Sequence, residues 1–93
     1  MKVLFIDTTK PILKERLVDA GFDCDYLPDL PEQEIKKRIK NYDGIIIRSR
    51  IKLDQYLLKN ASRLKFIGRV GAGMENIDLE YAQHKGIKCG EKL

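Results

Sequence analysis

Apolar and polar positions fall in alternating blocks along this chain, and the blocks carry two different periods. Residues 2–6 (Lys-Val-Leu-Phe-Ile) have few polar positions, the pattern of a strand covered on both faces. Asp7-Thr8-Thr9 then turns the chain, and Pro11 suits the first turn of a helix with Ile12, Leu13, Leu17 and Val18 on one face. Gly21 closes that helix. Residues 22–27 predict a second strand, more polar and therefore at a sheet edge. Pro28 and Pro31 bracket a turn into a charged helix over 32–40, whose apolar share is little more than Ile35 and Ile39. Gly44-Ile45-Ile46-Ile47 is the most apolar run and predicts a central strand. Asp54 caps a third helix that turns Tyr56, Leu57 and Leu58 inward. Residues 64–67 predict the fourth strand. Asp78 caps a fourth helix, Leu79–His84, which Gly86 ends, and residues 87–89 predict a short fifth strand.

Five strands separated by four helices, with right-handed crossovers, predict a doubly wound parallel α/β sheet. A flavodoxin-like order 2-1-3-4-5 places the apolar strands 1, 3 and 4 in the middle. A domain of that kind ordinarily carries a fifth helix beside the first, and this sequence reaches Leu93 without one. The expectation is an open apolar surface beside helix 1 that meets a partner, either in a homodimer or in a neighbouring domain absent from the chain.

Composition narrows the functional classes. Ninety-three residues, 43% hydrophobic and 34% charged, suffice for one domain (1–93) with a single core, and not for a two-domain enzyme. No apolar run approaches a membrane span, and the Met-Lys-Val-Leu-Phe start lacks the long apolar segment of a signal peptide, so the expected location is cytoplasmic. The net charge of +4 is spread along the chain without interleaved aromatics, which predicts a solvated basic surface and no nucleic-acid partner. Cys24 and Cys89 have no second cysteine or histidine at ligand spacing, so they read as buried small side chains and not as a metal or disulfide site.

In a sheet of this order ligands bind outside the carboxyl ends of the strands. Three loops emerge there: Asp7-Thr8-Thr9, Arg48-Ser49-Arg50, and the stretch from Arg69 through Gly71-Ala72-Gly73. Guanidinium groups hold carboxylate or phosphate through paired hydrogen bonds, and a glycine turn adds backbone N–H donors. Together they describe a pocket for a small acid with one or two anionic groups. A purely structural turn at Gly71 and Gly73 is the alternative, and Arg50 reads as a solvated loop residue. His84 reads as a surface residue and Asp78 as a cap. Asp7-Thr8-Thr9 is a poor phospho-acceptor loop, because the third strand ends in Arg-Ser-Arg where an aspartate is needed. A dinucleotide fingerprint fails too: the first strand is followed by Asp-Thr-Thr, and Asn76 stands where a third glycine belongs.

Three segments resemble the D-2-hydroxyacid dehydrogenases: Gly44-Ile45-Ile46-Ile47-Arg48-Ser49, the run from Leu64 through Gly71-Ala72-Gly73-Met74-Glu75-Asn76-Ile77-Asp78, and Ala82-Gln83-His84-Lys85-Gly86-Ile87. The likeness is to the family's substrate-binding part and is strongest toward its phosphoglycerate-oxidising branch. It implies that Gly71, Ala72 and Gly73 offer N–H groups to a substrate carboxylate. It also implies that Arg48 and Arg69, with Ser49 beside them, hold a distal phosphate or the carboxylate. The implied parent is an NAD-dependent oxidoreductase of serine biosynthesis. Its dinucleotide domain and its catalytic arginine, glutamate and histidine have no counterpart in this sequence, so no cofactor, metal or catalytic residue is expected in the chain itself. The expectation is a truncated domain, inactive alone, that binds its small anionic substrate weakly. A stand-alone or engineered flavodoxin-like interaction or fold fragment without a ligand is the alternative.

Overall fold

Runs of β-branched residues with no room for solvent on either face set the middle of this molecule, and the rest is arranged around them. The computed structural model describes residues 1–71 and 76–90. Its elements are β1 (Lys2–Phe5), α1 (Pro11–Asp19), β2 (Asp23–Tyr26), α2 (Glu32–Arg38), a 3-10 turn (Ile39–Asn41), β3 (Gly44–Ile47), α3 (Gln55–Leu58), β4 (Phe66–Arg69), α4 (Leu79–His84) and β5 (Lys88–Gly90). The five strands form one parallel sheet in the order β2-β1-β3-β4-β5. This is the flavodoxin-like arrangement expected from the alternation, with β3 central and fully buried and the polar β2 at an edge.

Side chains alternate across each strand, so the sheet has two separate apolar layers. Leu4, Ile6, Ile45, Ile47 and Ile67 face the side covered by α2, α3 and α4, where Ile35, Ile39, Leu57, Leu58 and Ala82 meet them. Val3, Phe5 and Ile46 face the other side, where Leu13 and Leu17 of α1 cover them together with Phe22, Tyr26 and Phe66. Asp54 and Asp78 cap their helices as expected, accepting hydrogen bonds from Leu57 N (3.1 Å) and Tyr81 N (3.0 Å).

The structure departs from the sequence reading in several places. Ile12 and Val18 are 51% and 49% exposed, so α1 presents a narrow Leu13–Leu17 ridge to the sheet and not a four-residue face. Tyr56 is 61% exposed because α3 makes a single turn, which can direct only Leu57 and Leu58 inward; its ring instead carries the Lys36 ammonium 3.5 Å from its centroid. The strand expected at 64–67 lies two residues later. Lys65 N and Phe66 N both donate to Asp43 O (2.7 and 3.3 Å), which sets Gly44 opposite Phe66 and leaves Leu64 buried ahead of the strand. Arg69 consequently ends β4 instead of opening the loop. The helix expected over 32–40 tightens into the 3-10 turn at Ile39, and β5 starts at Lys88. Cys24 and Cys89 are free and half-buried on the two edge strands, less enclosed than expected, and partial burial pushes both thiols above their ordinary pKa.

Candidate functional site at the carboxyl edge of the sheet

The strand order brings the ends of β1, β3 and β4 side by side. Ile47, the last residue of β3, pairs with Arg69, the last residue of β4, and Arg48 follows directly. The two arginines singled out from the sequence therefore lie at the ends of adjacent strands, one residue apart in register. Asp7, only 7% exposed at the end of β1, accepts a 2.5 Å hydrogen bond from Arg48 N and so fixes where the β3 backbone leaves the sheet. The Arg48 side chain is exposed, with Nη1 3.4 Å from Thr8 O. Ser49 is exposed beside it.

Arg50 behaves differently. Its Nε donates to Ile6 O (2.8 Å) and its Nη2 donates to Leu30 O, so this guanidinium clasps the end of β1 to the loop before α2. It is exposed in its loop, as expected from the sequence, and its guanidinium also serves as a structural clasp.

Arg69 is half-buried. Its Nε donates to Asn76 Oδ1 (3.0 Å) and its Nη1 to Val70 O (2.7 Å). Gly71 follows at φ 120°, a left-handed conformation that favours glycine, and a Cβ built there would lie 2.9 Å from Arg69 Nη1. The guanidinium thus rests across the one residue type that leaves it space. Ala72 and Gly73, the other two members of the expected turn, lie outside the described residues.

Asn76 is the residue that the sequence reading missed as a participant. Its Nδ2 donates to Arg48 O (2.9 Å) and Ile51 O (3.1 Å) while its Oδ1 accepts from Arg69. Two carbonyls require the NH2 and one guanidinium requires the oxygen, so only one orientation of the amide satisfies all three. Its backbone is fixed as well: Leu53 N donates to Asn76 O (2.8 Å), Asp78 N donates to Leu53 O (2.9 Å), and Leu53 and Ile77 form an isolated parallel bridge. The available sequence signal was a lone amide at the place of the third glycine, immediately ahead of buried Ile77 and the Asp78 cap.

Other candidates do not join this cluster. His84 is exposed on α4, as expected of a surface residue. A groove of about 820 Å³ runs between α2 and α3 past Lys36, Lys40 and Tyr56, and another of about 700 Å³ lies beside α1 against Thr9, Lys14 and Tyr26. Among the described residues, no group of three His, Cys, Asp or Glu side chains could hold a metal ion, and no helix is long and apolar enough to cross a membrane. The end of β1 does not fit a dinucleotide. A pyrophosphate there would meet the enclosed Asp7 carboxylate, already committed to Arg48 N, instead of a glycine-rich turn.

Comparison with known proteins connects this geometry to a family. The model of the D-isomer specific 2-hydroxyacid dehydrogenase catalytic domain matches residues 3–91. The chain belongs to the D-isomer specific 2-hydroxyacid dehydrogenase family. Within it, the chain is 35% identical over 86 residues to the D-3-phosphoglycerate dehydrogenase of Sus scrofa, an alignment covering 92% of this chain and 16% of that protein. A solved protein of Pyrococcus horikoshii OT3 superposes with a TM-score of 0.88 at 34% identity, over 98% of this chain and 27% of the other. The NAD+-bound 3-phosphoglycerate dehydrogenase of Entamoeba histolytica superposes with a TM-score of 0.83 at 30% identity, over 96% of this chain and 32% of the other. The chain thus spans under a fifth of the length of its curated relative and about a third or less of these two structures.

Proposed function

We propose that this chain is the substrate-binding part of a D-2-hydroxyacid dehydrogenase of the phosphoglycerate-oxidising kind, and that its carboxyl-edge crevice receives a small 2-hydroxy or 2-keto acid. The observation that carries this reading is the placement of Arg48 and Arg69 at the ends of neighbouring strands, joined through Asn76. Two arginines at the ends of neighbouring strands suit a ligand with an anionic group at each end, and Gly71 leaves room for a close backbone approach. Ser49, Ala72 and Gly73 complete the proposed set.

The reading assigns substrate capture to these residues and no hydride transfer. NAD and the proton-transferring groups of the parent reaction belong to protein beyond this chain, and affinity for substrate here is weak because the cleft is only partly built. Titration of the labelled chain with 3-phosphoglycerate tests this by NMR. Shifts centred on Arg48, Arg69 and Gly71 are expected; an unperturbed spectrum at tens of millimolar ligand, well above common substrate KM values of up to about 1 mM, refutes it.

A second reading is favoured by Ile12 and Val18, which stand half exposed on α1, the one helix among the described residues that packs on its sheet face. It makes the α1 side an association surface, with a second copy of the chain as the simplest occupant. A monomer in sedimentation at millimolar concentration removes it.

A further inference from the structure

We infer that Asn76 is a positioning residue that sets the separation of the Arg48 and Arg69 guanidinium groups, and through it the preference for an acid carrying charge at both ends. This rests on the crevice being the anion site. The three side-chain hydrogen bonds reach both arginine-bearing segments: Arg48 through its carbonyl, Arg69 through its guanidinium. The third, to Ile51 O, holds the far end of the loop that carries Arg48. Asn76 can serve as the reference point because its own backbone is bonded to Leu53, at the start of the segment leading into α3.

The chemistry makes the consequence selective. A one-ended acid such as glycolate needs only one guanidinium and tolerates a shift in the other. A two-ended acid such as 3-phosphoglycerate needs both at a fixed distance, so it loses affinity when either wanders. Arg48 Nη1 has only a long contact with Thr8 O, so the direction of its side chain depends on how firmly its backbone is held. Asp7 supports Arg48 N and Asn76 supports Arg48 O, one from each side.

The test compares glycolate and 3-phosphoglycerate binding by NMR titration in the unaltered chain, in Asn76→Ala and in Asn76→Ser, which keeps a short polar group that cannot span the three partners. In the same samples, water exchange of the Arg69 Nε–H is followed without ligand. The expected result is a loss of about tenfold for 3-phosphoglycerate, the scale of one charge-assisted hydrogen bond, with glycolate weakened less than about threefold and faster Arg69 exchange in both variants. Retained preference for 3-phosphoglycerate, equal loss of both acids, or unchanged Arg69 exchange overturns the role of Asn76 while leaving the anion site in place. Failure of the unaltered chain to bind either acid overturns the anion site and this inference with it.

Discussion

Alanine ordinarily outperforms glycine inside a strand, by about 0.5–1 kcal/mol of backbone entropy, yet Gly44→Ala is expected to destabilise this protein. A Cβ at Gly44 would lie 2.1 Å from Phe66 Cζ and 2.5 Å from both Cε atoms, against ordinary carbon contacts of about 3.5–4.0 Å. Gly44 and Phe66 are register partners on the two central strands, so the backbone cannot separate them without breaking the ladder. The ring must swing outward instead. It then loses its edge-on contact with Phe22 (centroids 6.0 Å apart, planes at 80°), worth about 0.5–1.5 kcal/mol. It also loses part of its burial, worth about 1 kcal/mol for a half-buried phenylalanine. After the backbone gain is set against this, the net loss is about 0.5–2 kcal/mol, or a fall in Tm of roughly 2–16 °C for a domain of this size. Urea and thermal denaturation measure it. The diagnostic comparison is Gly44→Ala in a Phe66→Ala background, where the obstruction is gone and the alanine should be neutral or stabilising. Equal stability of the single Gly44→Ala variant and the parent chain, or an unchanged penalty without Phe66, would refute the reasoning.

Other expectations follow from the same contacts. Arg48→Ala should leave the urea midpoint within about 0.5 kcal/mol of the parent, since the side chain is exposed, but should weaken 3-phosphoglycerate binding in NMR titration. Arg69→Ala should abolish that binding and also cost about 1 kcal/mol, because its bond to Asn76 is lost. The Lys2 amide, followed by the Arg63 and Lys65 charges, holds the Asp43 carboxyl below its ordinary pKa against the opposing effect of burial. A depressed carboxylate contributes stability that is present above the unfolded pKa of about 4 and is lost as pH falls below it. The urea midpoint of the parent chain should therefore drop in acid more steeply than that of Asp43→Asn. Among the four tyrosines, Tyr42 is pushed up to about 12 by burial and by its 2.6 Å hydrogen bond to Asp25, while the Lys36 ammonium against its ring pulls Tyr56 down. Ultraviolet titration should show one tyrosine ionising early and one very late, and Lys36→Met should remove the early one alone.

The alternation of elements and the strand order were legible because the central strands are written in unbroken apolar runs, Gly44-Ile45-Ile46-Ile47 most plainly. The capped helix starts were legible for a local reason: Asp54 and Asp78 each bond a backbone amide three residues on. What escaped was decided across the sheet. Nothing near residue 64 announces that Asp43 O will draw Lys65 N and Phe66 N into register, so sequence pattern alone puts the strand too early and Arg69 in a loop. Ile12, Val18 and Tyr56 have apolar or amphipathic character, but their fate depended on how narrow α1's contact and how short α3 turned out to be. At the crevice, residue type pointed to Arg48 and Arg69, whereas the diversion of Arg50 and the junction at Asn76 arise from carbonyls far away in sequence.

Among the described residues the sheet contains no hairpin. Lys2 pairs with Asp23, Val3 with Gly44, Gly44 with Phe66 and Phe66 with Lys88, so every ladder joins strands a complete helical crossover apart. No pair of strands can meet before a long loop has closed, and the closure entropy precedes any compensating burial. The chain has no local place to begin its sheet. Its refolding should accordingly be governed by formation of the β1–β3–β4 centre as one event, with the edge strands β2 and β5 added to a template already in place.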